Sequence, residues 1–276
     1  MKNIKKGHLF IVPTPIGNLE DMTFQAVKIL KKVSLIAAED TRTSEVLLKH
    51  YNIHTPMISY HKFNERARIK TLLKKLNAGE NVAVITDAGT PGISDPCKII
   101  VDEALKEGIE VIPLPGPAAF LTALSGSGLS TDSFTFFGFL PRTTGKQIKF
   151  LHSIKHLRQT LIFYESPNRI IKTLTNFQTI FGNRRIVVAK ELTKIYETFF
   201  RGRINEVLSK LNEKNLKGEF VILLHGAEEK ILTDEKIRFM LIEKIKDGFS
   251  KKQAIKEIST NFDLKKNRVY DISLQI

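Results

Sequence analysis

Short apolar runs alternate with amphipathic stretches through the first part of the chain. His8–Val12, Leu35–Ala38, Met57–Tyr60, Val82–Ile85 and Val111–Leu114 are four or five residues long and rich in aliphatic side chains. Runs of that length bounded by turn residues predict buried strands. Between them, Thr23–Lys32, Ser44–Tyr51, Arg66–Leu76 and Ile99–Lys106 repeat apolar residues at helical spacing. The third of these places Ile69, Leu72, Leu73 and Leu76 on one face and keeps its basic residues on the other. Gly108 supplies a C-terminal cap for the fourth. Strand and helix in strict alternation predict a mostly parallel sheet covered on both faces, an N-terminal α/β domain over residues 1–116.

The alternation continues with a different texture. A helix rich in small residues runs from Ala118 to Gly126, and Ser133–Leu140 is an aromatic strand with Gly138 inside it. Gly145–His156 reads as a basic helix, Thr160–Tyr164 as a strand, Arg169–Phe181 as a helix and Ile186–Ala189 as a strand. Phe199 and Phe200, followed by Arg201-Gly202, predict a turn before a helix over Ile204–Leu211, and Phe220–Leu224 is the last strand. These elements make a second α/β domain over residues 117–226. No strand-like run follows His225; Asp234–Lys246, Ser250–Ser259 and Leu264–Leu274 are helical patterns separated by Gly248 and Asn261. Ser250 with Gln253 has the spacing of a capping box. Residues 227–276 are therefore expected to be a small helical module of helix-turn-helix type.

Charge adds a partner to this picture. The chain of 276 residues carries a net charge of +14, yet the helical module nearly balances, so DNA reading is not implied there and a packing or docking appendage is preferred. The excess lies in the two α/β domains. No acid occurs between Asp132 and Glu165, a gap holding Arg142, Lys146, Lys149, Lys155 and Arg158 with His152 and His156. A second basic stretch, Lys62, Arg66, Arg68, Lys70, Lys74 and Lys75, is interrupted only by Glu65. Such clustering favours a nucleic acid over a merely solvated face. The single cysteine, Cys97, excludes an intrachain disulfide or a multi-cysteine metal site. Pro13 and Pro15 interrupt the first apolar run before it could act as a secretory segment, and no stretch approaches the roughly 20 apolar residues of a membrane span. A soluble cytoplasmic protein without a membrane partner is expected.

Several chemistries are absent. The chain has no GxxxxGK[ST], no GxGxxG in its first loop, no HExxH or His/Cys metal spacing, and no GxSxG. What remains is a set of Gly/Pro loops at strand ends, where open α/β sheets hold ligands. The foremost is Asn81–Asp95, NVAVITDAGTPGISD, which taken alone reads equally as a strand-to-helix turn or as a ligand loop. A cofactor-dependent modification of RNA accommodates both the loops and the charge, without identifying the cofactor.

Seven segments in order, VPTPIGNLEDMT, AAEDTRTSEVLL, VITDAGTPGISDP, PLPGPAAFLTAL, FYESPNRI, KELTKIYETFFRG and GEFVILL, carry a family likeness from about His8 to His225. The chain resembles the tetrapyrrole (class III) methylases, most nearly the bacterial branch that methylates a cytidine ribose 2′-OH in small-subunit (16S) ribosomal RNA. The resemblance implies two α/β domains with S-adenosylmethionine in the cleft between them, and a homodimer acting on the RNA or the 30S subunit. By position, Asp87, Ala88, Gly89, Thr90, Pro91, Gly92 and Ile93 would border the cofactor, with Pro117, Ala118, Ala119, Tyr164, Leu192 and Glu219 opposite and Pro15, Ile16 and Gly17 in the first loop. Cys97 stands where that branch has glycine, which leaves either a reactive thiol or a small buried side chain. Methyl transfer to a hydroxyl calls for a proton acceptor, for which Glu39, Asp40, Glu165 and Glu191 are candidates at strand ends. Arg42, Lys190 and Arg169 could hold phosphates or a developing alkoxide. Glu39-Asp40-Thr41-Arg42 is the preferred catalytic group, because two acids and a cation crowd one strand-to-helix loop. RNA phosphates fall to Lys62, Arg66, Arg68, Lys146, Lys149 and Arg158. No metal is expected. The rival readings are a methylase of the same fold acting on a porphyrin-like molecule, and a non-catalytic RNA-binding or ribosome-assembly protein.

Overall fold

A computed structural model describes residues 5–211, 216–228, 233–262 and 264–276. They form two compact units, Met1–Ala227 and Glu228–Ile276. In the first, β1 (Leu9–Ile11), α1 (Phe24–Leu30), β2 (Leu35–Ala38), α2 (Thr41–His50), β3 (Met57–Ser59), α3 (Glu65–Asn77), β4 (Val82–Ile85), α4 (Lys98–Lys106) and β5 (Val111–Pro113) follow one another. The strands pair as β3-β2-β4-β1-β5, and every pair is parallel.

Side chains alternate across this sheet with period two, so each strand feeds two cores. Leu9, Ile11, Leu35, Ala37, Val82 and Val84 pack against Leu72, Leu73 and Leu76 of α3 and Ile100 and Ala104 of α4. Phe10, Val12, Ile36, Ala38, Ala83 and Ile85 pack on the other face against Ala26 and Leu30 of α1 and Leu47 and Leu48 of α2. Fully burying an aliphatic side chain contributes about 1.5–3 kcal/mol, and both faces are lined with them. Because the strands are parallel, the loops leaving β1, β2 and β4 emerge side by side along one edge.

The rest of this unit continues as α5 (Ala119–Ser125), β6 (Phe134–Phe139), α6 (Thr144–Ile154), β7 (Thr160–Glu165), α7 (Ile170–Phe181), β8 (Arg185–Lys190), β9 (Thr198–Arg203), α8 (Ile204–Lys210) and β10 (Phe220–Leu224). This sheet runs β6-β7-β10-β8-β9 and is mixed: β6 and β7 are parallel, the other pairs antiparallel. One face packs on α6, α7 and α8, the other on α5 through Ala123 and Leu124. Ile16, from the loop after β1, is buried in that second core beside Leu192, and so ties the two sheets together.

Two local expectations change. Phe199–Gly202 is not a turn but the middle of β9, an edge strand paired from Arg185↔Arg203 to Lys190↔Thr198. Its adjacent phenylalanines pack into opposite cores, so the segment lacks the continuous apolar run that betrays a central strand. Helix α2 begins at Thr41 rather than Ser44, because the Asp40 side chain caps it by accepting from the Arg42 amide. That polar first turn is invisible to hydrophobic periodicity.

The second unit contains α9 (Asp234–Lys246), α10 (Lys251–Asn261) and α11 (Lys266–Ser273). Ile237, Leu241, Ala254, Ile255, Ile258, Val269 and Ile272 form its core. Ser250 and Gln253 make the capping box their spacing suggests, each side chain accepting from the other's amide at 3.0 and 3.3 Å.

Candidate active site

A cleft of about 370 Å³ opens in the first unit, between the carboxyl-end loops of the parallel sheet and the mixed sheet. The loop after β4 forms one wall. It is stapled to the loop after β1 by reciprocal backbone bonds, Thr14 N to Gly89 O at 2.9 Å and Gly89 N to Thr14 O at 3.0 Å. The buried Thr14 hydroxyl adds a bond to Thr86 O at 2.9 Å. Gly89 and Gly92 have φ of 85° and 87°, conformations that L-residues with a Cβ rarely adopt. A Cβ at Gly89 would face Ile16 and the Pro117 carbonyl, and one at Gly92 would lie 3.3 Å from Cys97 Cβ. Backbone conformation therefore requires both glycines, and at Gly92 the tight approach of Cys97 adds to it. The Thr90 hydroxyl, donating to Pro117 O at 2.9 Å, joins the wall to the segment entering α5.

Three carboxylates converge on this wall. Glu39, at the end of β2, accepts a hydrogen bond from the Thr86 hydroxyl, and its Oε2 lies 3.4 Å from the Asp87 amide. Asp87 in turn accepts from the Asp40 amide at 3.1 Å. Burial, then Glu39, raises the Asp87 carboxyl above its ordinary range. Asp95 is pushed up to about 6 by burial first and Glu39 second. The Thr86 hydroxyl lies within reach of Asp95 as well as Glu39, but it has one proton to give. An anionic wall of this kind suits a cationic ligand.

The opposite wall is more apolar. Ala118, Ala119, Phe139, Tyr164, Leu192 and Val221 line it, with Glu219 at its rim. Burial drives the Tyr164 phenol up to about 12, and its oxygen accepts from the Phe120 amide at 3.3 Å. Behind this wall Glu191 accepts from Lys194 Nζ at 3.0 Å and from the Glu219 amide at 2.9 Å. Burial acts to raise the Glu191 carboxyl, but those two donors outweigh it and hold the group low. Glu191 and Thr193 have φ of 52° and 63°, so the network holds a strained turn in place.

The remaining candidates separate clearly. Of the cofactor set, Asp87, Ala88, Gly89, Thr90, Ile93, Ala118, Ala119, Tyr164, Leu192 and Glu219 line the cavity together with Ile16. Pro15, Gly17, Pro91, Gly92 and Pro117 lie outside the lining; Gly17 packs against the Leu192–Lys194 segment. Glu39 and Glu165 reach the cavity, but Asp40, Arg42, Lys190 and Glu191 do not line it. Asp40 is bound twice by Arg42, which holds its carboxyl down to about 2. Its carboxylate serves as the cap of α2 and as the ion-pair partner of Arg42. Glu165 is 2% exposed and bonded to the Thr173 hydroxyl at 2.7 Å, the Ser166 amide at 2.8 Å and Arg169 Nε at 3.3 Å. Arg169 also donates to the carbonyls of Leu140 and Pro141 at 3.0 Å, so that acid and its partner clamp β7 to the loop after β6. Lys190 closes β8 opposite Phe220 and Thr198. Lys62, Arg66, Arg68, Lys146, Lys149 and Arg158 are exposed, on or beside α3 and α6.

Sequence reasoning passed over Thr86, Ser94, Asp95, Phe139, Ser166, Pro167 and Gly218 as lining residues. One signal was present. Gly138 interrupts an aromatic strand, which marks a bulge or close approach. The β6–β7 register does shift between Phe136 and Phe139, and a Cβ at Gly138 would come within 3.0 Å of Ser94 Oγ. Cys97 is buried, and burial followed by Glu65 pushes its thiol up to about 12, so it is a packing residue and not a nucleophile.

Two α/β sheets sharing a ligand-sized cleft at the carboxyl edge of the parallel one define a cofactor-binding α/β enzyme. The chain belongs to the Tetrapyrrole (Corrin/Porphyrin) Methylases, whose family model matches residues 8–208. It is 43% identical over 274 residues to the Ribosomal RNA small subunit methyltransferase I of Halalkalibacterium halodurans, covering 97% of this chain and 94% of that protein. The Bacillus subtilis protein of the same name is also 43% identical, over 272 residues, covering 96% and 93%. Among solved structures, a cobalt precorrin-4 methyltransferase aligns with a TM-score of 0.60 at 16% identity, covering 79% of this chain and 94% of that one. Uroporphyrin-III C-methyltransferase from Thermus thermophilus, complexed with S-adenosylhomocysteine, aligns at 0.57 and 18% identity, covering 79% and 97%.

Proposed function

We propose that this protein transfers a methyl group from S-adenosylmethionine to the ribose 2′-OH of a cytidine in 16S ribosomal RNA, acting in the cytoplasm as a homodimer. The observation that carries the reading is the 43% identity, over nearly the whole chain, to methyltransferases named for small-subunit ribosomal RNA. The exposed basic stretches suit a polyanion and supply salt-dependent affinity.

The residues present fit the cofactor. The Asp87–Thr90 backbone and Ile93 form one side of a holding site, and Ala118, Ala119, Tyr164 and Leu192 the other. Glu39, Asp87 and Asp95 face a cation with negative charge. When bound, S-adenosylmethionine supplies an electrophilic methyl carbon on a sulfonium. The protein's tasks are then to align the ribose oxygen and to accept its proton. With Asp40 and Glu165 engaged elsewhere, the Glu39–Asp95 pair is the proton acceptor on the cleft wall. Purified protein with S-adenosylmethionine should methylate small subunits from cells lacking the enzyme, at one ribose mapped by resistance to alkaline cleavage. Loss of the activity on inactivating the cleft, with RNA binding kept, is expected. Absence of any methyl incorporation would overturn the reading.

A further inference from the structure

The turn between β3 and α3 presents a phenylalanine to solvent. Phe63 is 94% exposed. It does not hang on a loose loop. The His61 amide donates to Asn64 Oδ1 at 2.8 Å, Asn64 Nδ2 donates back to the Ser59 carbonyl at 3.2 Å, and the Phe63 amide donates to His61 Nδ1 at 3.2 Å. The amides of Asn64 and Glu65 both donate to His61 O at 2.9 Å. This strapping holds the ring outward, edge-on to the His61 imidazole at 6.0 Å. Leaving a large apolar ring in water is unfavourable, and a turn built to keep it there points to an occupant.

The surroundings identify the chemistry of that occupant. Lys62 precedes the ring, and Arg66, Arg68 and Lys70 follow it on α3, all exposed. Phe24 is as exposed, but Glu20 and Asp21 precede it and its nearest cation in sequence is Lys28, whereas Lys62 adjoins Phe63 directly. An aromatic platform interleaved with cations matches a nucleobase with its phosphates. Its position is also apt. Ser59, Ala38 and Ile85 are in register at the ends of β3, β2 and β4. At about 4.8 Å per strand, the Phe63 turn leaves the sheet roughly 10 Å across from the cleft loop, on the same edge. An aromatic platform can take a base only from unpaired RNA, because a duplex keeps its bases in their own stack. We infer that Phe63 is a stacking platform for an unpaired base of the RNA substrate, with Lys62 and Arg66 holding the adjoining phosphates. This inference rests on the proposed RNA methyltransferase function.

The test uses the full chain and a fluorescein-labelled unstructured oligoribonucleotide, alone or annealed to its complement. Phe63→Ala should bind the single strand about 5- to 150-fold more weakly. Binding to the duplex and to S-adenosylmethionine should change by less than about twofold, the stacking term being absent there. Phe63→Tyr and Phe63→Trp should restore binding, and Phe63→Leu, apolar without a π-face, should not. With small subunits as substrate, KM should rise in Phe63→Ala while kcat holds. Equal single-strand binding by wild type and Phe63→Ala overturns the platform, as does full rescue by leucine. A loss of self-association in Phe63→Ala with RNA affinity intact also overturns it, assigning the ring to a contact between copies. Failure of the wild-type protein to bind the single strand overturns the platform, whereas absence of methyl incorporation into small subunits is what removes the underlying reading.

Discussion

Asp95→Asn tests the physical account of the acidic wall. Burial and the neighbouring Glu39 lift the Asp95 carboxyl from 3.8 to about 6. In that window the folded protein binds a proton that the unfolded chain has released. Stability therefore falls as pH rises from about 4 to 6, and the penalty is fully present above it. At about 1.4 kcal/mol per pH unit the penalty is at most about 3 kcal/mol, and less to the extent that water still screens the half-buried carboxyl. The asparagine variant has no charge to desolvate. It should match wild type below pH 4, gain on it through pH 6, and be more stable by up to about 2–3 kcal/mol at pH 7. Urea unfolding across pH 3.5–8 brackets the window and measures this. The same charge should make S-adenosylmethionine bind more tightly as pH rises from about 5 to 7, with a weaker trend for uncharged S-adenosylhomocysteine. Asp95→Asn should level the difference in calorimetry. Parallel stability curves for the two proteins, or a variant less stable at pH 7, would refute the reasoning.

Other outcomes follow from the same geometry. Gly89→Val forces a Cβ-branched residue to φ 85° beside Ile16, so calorimetry should show S-adenosylmethionine affinity lowered about tenfold or more and RNA affinity little changed. Glu165→Ala removes the acceptor shared by Thr173, Ser166 and Arg169 and should cost about 1–3 kcal/mol in chemical unfolding, whereas Glu165→Gln keeps hydrogen-bonding capacity and should lose less. If Glu165→Gln abolished turnover while fully folded and still binding both ligands, the structural role assigned to that acid would be wrong. Lys62→Gln and Arg66→Gln should each weaken RNA binding and reduce the slope of log affinity against log salt by about 0.7–1. An unchanged slope would show that they meet no phosphate.

Much of the fold is legible in one dimension. Val82–Ile85 and Leu35–Ala38 are buried on both faces, so their apolar runs are continuous and match the strands residue for residue. Helix α3 shows its buried face as a periodic pattern for the same reason. β9 escaped notice because an edge strand that splits its side chains between two cores needs no continuous run. The family was legible too, because its loops recur as ordered motifs from about His8 to His225.

Which acids serve the cleft was decided only in three dimensions. Glu39 and Asp40 are neighbours in sequence, yet one reaches the cavity and the other caps a helix under Arg42. Glu39 and Asp95 are far apart in sequence, and the parallel register of β2 with β4 delivers them to one wall. Glu165 ends its strand much as Glu39 follows β2, but Thr173, one helical turn into α7, engages it from the core. Backbone hydrogen bonding and burial periodicity act over a few residues and leave their mark on the sequence. A carboxylate's desolvation and partners are set by elements distant along the chain, so its role had to await the tertiary structure.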